Sequence, residues 1–311
     1  MGNGLRPCAW LDLYTGRSGC ERTWSFDYGT IDSVAVSGDG ALIAASDWRG
    51  PIGIYRLADG TNISQVPERG DSCSNGMAFS PDGKRMATLS KNSEVLIRDV
   101  ATGVLLHSWN VPEADGVAFS PDGTWLAVST SKAGIQLWRT ADWTLDKTLR
   151  GGGEPMAFSA DGRLLATWGV GGTTVIWNIA ENSVQQTLPI ASARGIALSP
   201  DGHYIAVASY GDPVTVWDVA TGTLSQTLPV YATSNPAFSP DGQFLAVGHQ
   251  YQSGITYYHT ATVWRLADTQ QVMDISEWSN VECVAFSPVD DQFAYGGWEV
   301  MKLFHMPERL Q

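Results

Sequence analysis

Between residues 117 and 149 apolar and polar side chains alternate with a period of two, without the 3.6-residue stripe of an amphipathic helix. Val117-Ala-Phe119 precedes a Ser-Pro-Asp-Gly turn. Trp125-Leu-Ala-Val128 and Ile135-Gln-Leu-Trp138 follow, and a further turn leads to Leu145-Asp-Lys-Thr-Leu149. The pattern predicts four short strands. Strands of about six residues joined by turns of about four add up to roughly 40 residues per unit.

That unit recurs. Met77-Ala-Phe-Ser-Pro-Asp-Gly83 returns at Val117–Gly123 and Pro236–Gly242, and in looser form at Val34–Gly40, Met156–Gly162 and Ile196–Gly202. A seventh copy, Val284-Ala-Phe-Ser-Pro-Val-Asp290, degenerates after its proline. From Val36 to Phe79, Phe119, Phe158, Leu198, Phe238 and Phe286 the steps are 43, 40, 39, 40, 40 and 48 residues. The turn chemistry fits: proline presets the first turn dihedral, aspartate bonds its own backbone, and glycine accepts positive φ. One four-stranded unit would leave two apolar faces wet. Seven arranged radially cover each other, which predicts an all-β, seven-bladed β-propeller of four-stranded antiparallel blades. The repeat cores fall near 31–57, 74–106, 114–149, 153–188, 193–228, 233–272 and 281–306, within one domain spanning 1–311. The residue at the Phe119 position is expected to be interior, so its loss should be severely destabilising.

The repeats resemble the WD-repeat family. Trp217-Asp218-Val-Ala-Thr-Gly222 carries the family's signature dipeptide and its usual turn. Trp138-Arg139, Trp177-Asn178 and Trp264-Arg265 are weaker versions, and Tyr55, Arg98 and Phe304 occupy the remaining tryptophan positions. The family's Gly-His element is absent; Gly70, Asn110, Leu149 and Pro189 stand in its place. The His-Ser-Trp-Asp hydrogen-bond network that the resemblance implies is therefore not expected, and apolar packing should carry more of the fold. The last repeat ends in its third strand. Leu11-Asp12-Leu13-Tyr14-Thr15-Gly16 matches Trp217–Gly222, so residues 17–28 should supply the missing fourth strand and close the ring. The pattern leaves the pairing of residues 5–14 open.

Hydrophobic residues make up 43% of the 311 and charged ones 16%, which suits a folded chain rather than a disordered one. The net charge of −13 argues against nucleic acid as the partner, since phosphate binders carry a basic stripe. No apolar run approaches the roughly 18 residues a membrane span needs. Met1–Trp10 lacks a signal peptide's basic-then-apolar pattern, so a cytoplasmic location is expected. Cys8, Cys20, Cys73 and Cys283 are irregularly spaced and read as reduced thiols.

The sequence contains no nucleophile elbow, phosphate loop or His-Glu-x-x-His helix, and no cofactor is expected. His249 and His259 bracket one long loop and are the nearest approach to a metal pair. Asp39, Asp82, Asp122, Asp161, Asp201, Asp241 and Asp290 form a ring on the bottom face, which the turn geometry already demands. The top face is more informative. Four residues before each repeat's Phe position stand Asp32, Asn75, Asp115, Glu154, Arg194, Ser234 and Glu282, converging on the channel mouth. The loops between second and third strands add Trp48, Trp168, Tyr210, Tyr251, Tyr257, Tyr258 and Trp298. Carboxylates beside aromatics suit a cationic side chain. Long segments at 66–75 and 249–260 open on the same face. The expected role is a non-enzymatic scaffold binding a protein or peptide with basic groups, as a monomer or as a subunit of a larger assembly. A metal-dependent propeller hydrolase or lactonase, and a regulatory or sensor propeller of a larger multidomain assembly, are the alternatives.

Overall fold

A computed structural model describes residues 5–6, 20–47, 51–66, 76–90, 92–169, 171–190, 193–209, 211–232, 234–253, 256–277, 281–290 and 292–306. Seven blades of four antiparallel strands form a ring, and no helix occurs among the described residues. Blade three shows the plan: Ala114–Phe119 lines the channel, Trp125–Thr130 and Gly134–Arg139 follow outward, and Leu145–Leu149 is outermost. Closure follows the sequence expectation. One strand, Cys20–Val36, serves two blades. Its first part pairs with Val300–Phe304 as the outer strand of blade seven, and its last part pairs with Leu42–Asp47 as the inner strand of blade one. Residues 292–305 supply both middle strands of blade seven. Were they one straight strand, Phe293 and Phe304 would lie roughly 35 Å apart, yet their rings stack at 5.4 Å. Leu5 and Arg6 pair with Trp24 and Thr23, so blade seven gains a fifth strand at its edge.

The core is sevenfold. Buried apolar residues fall into seven clusters, each shared by two consecutive blades. The cluster between blades seven and one includes Trp24 from the closing strand, which lies against Tyr55 with ring centroids 6.0 Å apart. Each blade tapers toward the axis. An alanine of the inner strand faces an alanine of the second strand in every blade: Ala35 and Ala44, Ala78 and Ala87, Ala118 and Ala127, Ala157 and Ala166, Ala197 and Ala206, Ala237 and Ala246, Ala285 and Ala294. Outward along the same row comes a larger residue, as in Ala206 to Val216 or Ala127 to Leu137. A bulky side chain of the next blade shares the core with each second-strand alanine, such as Leu245 with Ala206 and Leu165 with Ala127. The Phe119 position is less buried than the pattern predicted. Phe79 and Leu198 are buried, whereas Phe119, Phe158, Phe238 and Phe286 are half-buried because the inner strand also faces the channel. Phe119→Ala is accordingly a milder change than a core deletion.

Polar groups fasten the bottom face. In six turns the serine hydroxyl donates to the aspartate two residues on at 2.5–2.6 Å. The same serine oxygen accepts the amide five residues on, at 2.8–2.9 Å. The turn glycines sit at φ between 66° and 72°, open to a residue without Cβ. For Asp82 the hydrogen bond from Ser80 is the largest influence and holds the carboxyl below its ordinary range. For Asp122, Asp161 and Asp201 burial is the largest single influence and pushes upward, but the hydroxyl and backbone donors together outweigh it. In the degenerate seventh turn Ser287 Oγ has no hydrogen-bond partner among the described residues, and Asp290, displaced by one position, accepts the Gln292 amide. Blades are also tied laterally. Ser64 Oγ donates to the Val100 carbonyl at 2.6 Å, Lys147 Nζ to Ile179 at 3.0 Å and Gln226 Nε2 to Leu266 at 2.7 Å, each reaching from an outer strand to the next blade.

Two outcomes check this account. Ala206→Leu forces a large side chain into the narrow end of the wedge and should destabilise the chain by about 1–3 kcal/mol in chemical denaturation. Trp24→Ala should cost about 3–5 kcal/mol, and removing residues 1–28 should cost at least as much; an unchanged melting temperature for the shortened chain would refute closure by this strand.

Candidate functional site

Inner strands begin at the top face, and there the ladder slips. The register shifts between Ile31 and Ser33, Ala114 and Gly116, Gly153 and Met156, Ala193 and Gly195, and Val281 and Cys283. The residues in those gaps are Asp32, Asp115, Arg194 and Glu282, one each, and Glu154 together with Pro155 in blade four. Each therefore sits on a bulge or irregularity, where surplus residues leave the ladder.

Blades three and four bring two of these residues together. Ser129 Oγ contacts Asp115 Oδ1 within its own blade and Glu154 Oε1 of the next blade at 3.0 Å. A hydroxyl carries one proton, so it satisfies one carboxylate at a time. Gly116 makes the approach possible: a Cβ there would lie 1.6 Å from Glu154 Oε1. Burial pushes the Asp115 carboxyl up, with the Ser129 hydrogen bond acting in the opposite direction. Among the described residues no basic side chain forms an ion pair with Asp115. Its neighbour Glu113 differs. Lys132 Nζ donates to one Glu113 oxygen and Ser131 Oγ to the other at 2.9 Å, and the lysine contact holds that carboxyl below its usual range.

The remaining residues are placed variously. Glu282 is half-buried and Arg194 exposed. Ser234 is buried, its Oγ accepting the Gly248 amide at 3.0 Å, which pins the start of the inner strand in blade six. Trp168 is 39% exposed and lies opposite Gly153, the residue before Glu154. Trp48, Asn75 and Tyr210 lie outside the described residues. Asp32, Tyr251, Tyr257, Tyr258 and Trp298 are described in their backbone alone. The 249–260 segment is an extended arm rather than an irregular loop. Phe244–Ser253 and Thr256–Arg265 stay paired out to Ser253 and Thr256, with Tyr251 opposite Tyr258 and Gln252 opposite Tyr257. His249 pairs with Thr260, and His259 with Gln250. His259, like the tyrosines of the arm, is described in its backbone alone. Among the described residues no group of three or more His, Cys, Asp or Glu is placed to hold a metal ion.

Beneath the mouth lies a channel cavity of about 390 Å³. Inner strands of blades one, two, three, six and seven wall it; apart from Ser33 their lining side chains are apolar, and polar backbone groups make up much of the surface. The sequence reading had missed Ser129 and Gly116, because their roles arise between blades rather than within a repeat.

A closed ring of seven four-stranded blades, with a bulge at the mouth end of the inner strand in five of them, defines a repeat propeller. Residues 34–115 match the family model of the anaphase-promoting complex subunit 4 WD40 domain, and residues 106–139 match that of the WD domain, G-beta repeat. A comparison with curated proteins found no match. With the sevenfold ring, these matches establish that the chain belongs to the WD-repeat family.

Gly116→Ala tests the bridge. Because the displaced group is the end of a flexible side chain, stability should change by less than about 1 kcal/mol, while the carboxyl resonance of Glu154 moves in a carbon-detected NMR spectrum. An unmoved resonance would show that Glu154 does not lie over Gly116.

Proposed function

We propose that the top face binds a lysine or arginine side chain of a partner protein or peptide, and that the chain is a non-enzymatic interaction scaffold. WD-repeat propellers are commonly such scaffolds, which supports the coarse reading. The observation carrying the finer one is the convergence of Asp115 and Glu154 on the single hydroxyl of Ser129. Two carboxylates brought to one hydroxyl in a half-buried place concentrate negative charge that an arriving cation would offset. Asp32 and Glu282 extend the negative ring, and Trp168 with Tyr257 or Tyr258 would anchor the partner's apolar surface. The match to a WD40 domain named for an anaphase-promoting complex subunit supports placement within a larger assembly, and we place the protein in the cytoplasm. The hydrolase reading has less support. A hard divalent cation takes about six oxygens, and the mouth brings two carboxylates and a hydroxyl together while, apart from Ser33, the side chains of the channel wall add none.

The test uses lysine- and arginine-containing peptides together with any partner recovered by affinity capture. Asp115→Lys combined with Glu154→Lys should weaken binding by about 100-fold or more; unchanged affinity would dismiss the site. Because burial raises Asp115, its charge is lost on acidification before that of a solvated aspartate, whose pKa is about 4. Affinity should therefore begin to fall above that pH, and Asp115→Asn should remove this part of the profile.

A further inference from the structure

We propose a second docking surface on the circumference: the open edge of blade two accepts an extended segment of a partner protein as a fifth strand, with apolar side chains and at least one acidic residue. The outer strand of that blade is Leu105–Asn110. Its phase is fixed by the Val111 amide, which donates to the Ser93 carbonyl at 2.9 Å, and by an unbroken register from Glu94 with Asn110 to Ile97 with His107. His107 and Trp109 therefore spend their backbone groups on the third strand, and Ser108 and Asn110 turn theirs outward.

The side chains on this edge are unusual for a strand left open. Val104, Leu105 and Leu106 are 57%, 43% and 52% exposed in succession, and no charged residue occurs from 104 to 110. Soluble proteins protect such edges with charge, as blade three does with Asp146 and Lys147; the outer strands of blades one, four and five are also uncharged, but none of them exposes three large apolar side chains in a row. Behind the edge stands an aromatic wall. Trp109 lies 5.0 Å from Trp138 and 5.6 Å from Trp143, and His107 stacks on Trp143 at 6.0 Å. Trp143 occupies a turn position with φ of 57°, where blades one, two and five place Gly60, Gly103 and Gly222. A bulky residue there is uncommon, and it carries the indole back onto blade two.

Two observations select the occupant. The Arg85 guanidinium lies 5.8 Å over the Trp143 ring and, although its charge bears on Asp82, among the described residues no carboxylate is in ion-pair contact with it. It therefore complements an acidic residue on the incoming segment. The chain also performs the same addition on itself: Leu5 and Arg6 join the outer strand of blade seven as a fifth strand. Main-chain bonds along the edge supply affinity, and the Trp143 wall and Arg85 supply selectivity.

A display library of peptides about ten residues long is selected on the full chain, and binders are measured against variants whose folding is checked by melting. Ser108→Pro deletes an outward amide without touching the inward ladder, and Leu106→Lys places charge on the exposed edge if the proline is not tolerated. Binders should alternate apolar residues with Asp or Glu. They should lose at least tenfold in affinity to either edge variant and to Arg85→Glu, and bind the Asp115→Lys/Glu154→Lys variant as they bind the parent. Failure to select any binder, or binders indifferent to both edge variants, would overturn the proposal. Binders lost only on the top-face variant would do the same, leaving the top face intact as a site. A dimer of the parent chain that Ser108→Pro dissolves would overturn it in favour of a second copy.

Discussion

A blade has two apolar faces and only its neighbours to cover them, and the space between blades narrows toward the axis. Everything else in the molecule answers to that wedge. The paired alanines of the first and second strands are the smallest side chains that still bury apolar surface, and they sit where blades approach most closely. Farther out, the same row widens to valine, isoleucine or leucine, and the facing blade supplies a bulky residue over each second-strand alanine. Buried packing is dense enough that a methylene too many or too few is felt. Seven cores share this design, so no blade holds a core of its own. Stability is a property of interfaces between repeats, and closing the ring converts two open end faces into a seventh interface.

Hydrogen bonding has been redistributed to suit. With the Gly-His element missing, the tryptophans of the third strand find local acceptors. Trp177 Nε1 donates to Thr167 at 3.1 Å, Trp264 to Thr262 at 3.0 Å and Trp138 to Gln136 at 3.2 Å. Trp217, in the one intact Trp-Asp dipeptide, has a buried Nε1 without a hydrogen-bond partner among the described residues. Order at the bottom face comes instead from the serine-aspartate turns, and order between blades from long polar side chains that reach a neighbour's backbone. These contacts stand beside the apolar packing that the missing element led one to expect.

Much of the fold was legible because a propeller repeats its local code. The period near 40, the alternation of apolar positions and the Ser-Pro-Asp-Gly turns fix strand number, turn type and blade count, and the match of Leu11–Gly16 to Trp217–Gly222 points to closure. The alanine pairs were equally present in the sequence, one in each Ala-Phe and one in the following strand, but their meaning depends on a register that only the folded sheet displays. Phe119 shows the opposite error: an aromatic in a conserved pattern position reads as core, yet an inner strand is bounded by the channel as well as by its neighbours. For the site, spacing located the mouth residues but not the bulges. A slipped register leaves no mark in an alternating pattern one residue wide, and the meeting of Ser129 with Glu154 crosses a blade boundary that no single repeat encodes.

The bulges explain how one ring can hold both a constant core and a variable rim. In a regular strand each substitution alternates between two packed faces, so a charge introduced there would enter a core. A bulge residue is surplus to the alternation. Asp32, Asp115, Glu154, Arg194 and Glu282 differ in sign and length while the alanine and aromatic positions that follow them keep their register. The outer edge of blade two escapes the packing constraint for a related reason, since the outward groups of a last strand face no neighbour within the sheet. Side chains in this molecule are therefore free to change at two kinds of place, the slipped start of the innermost strand and the open side of the outermost one. The strands between them are held by the wedge.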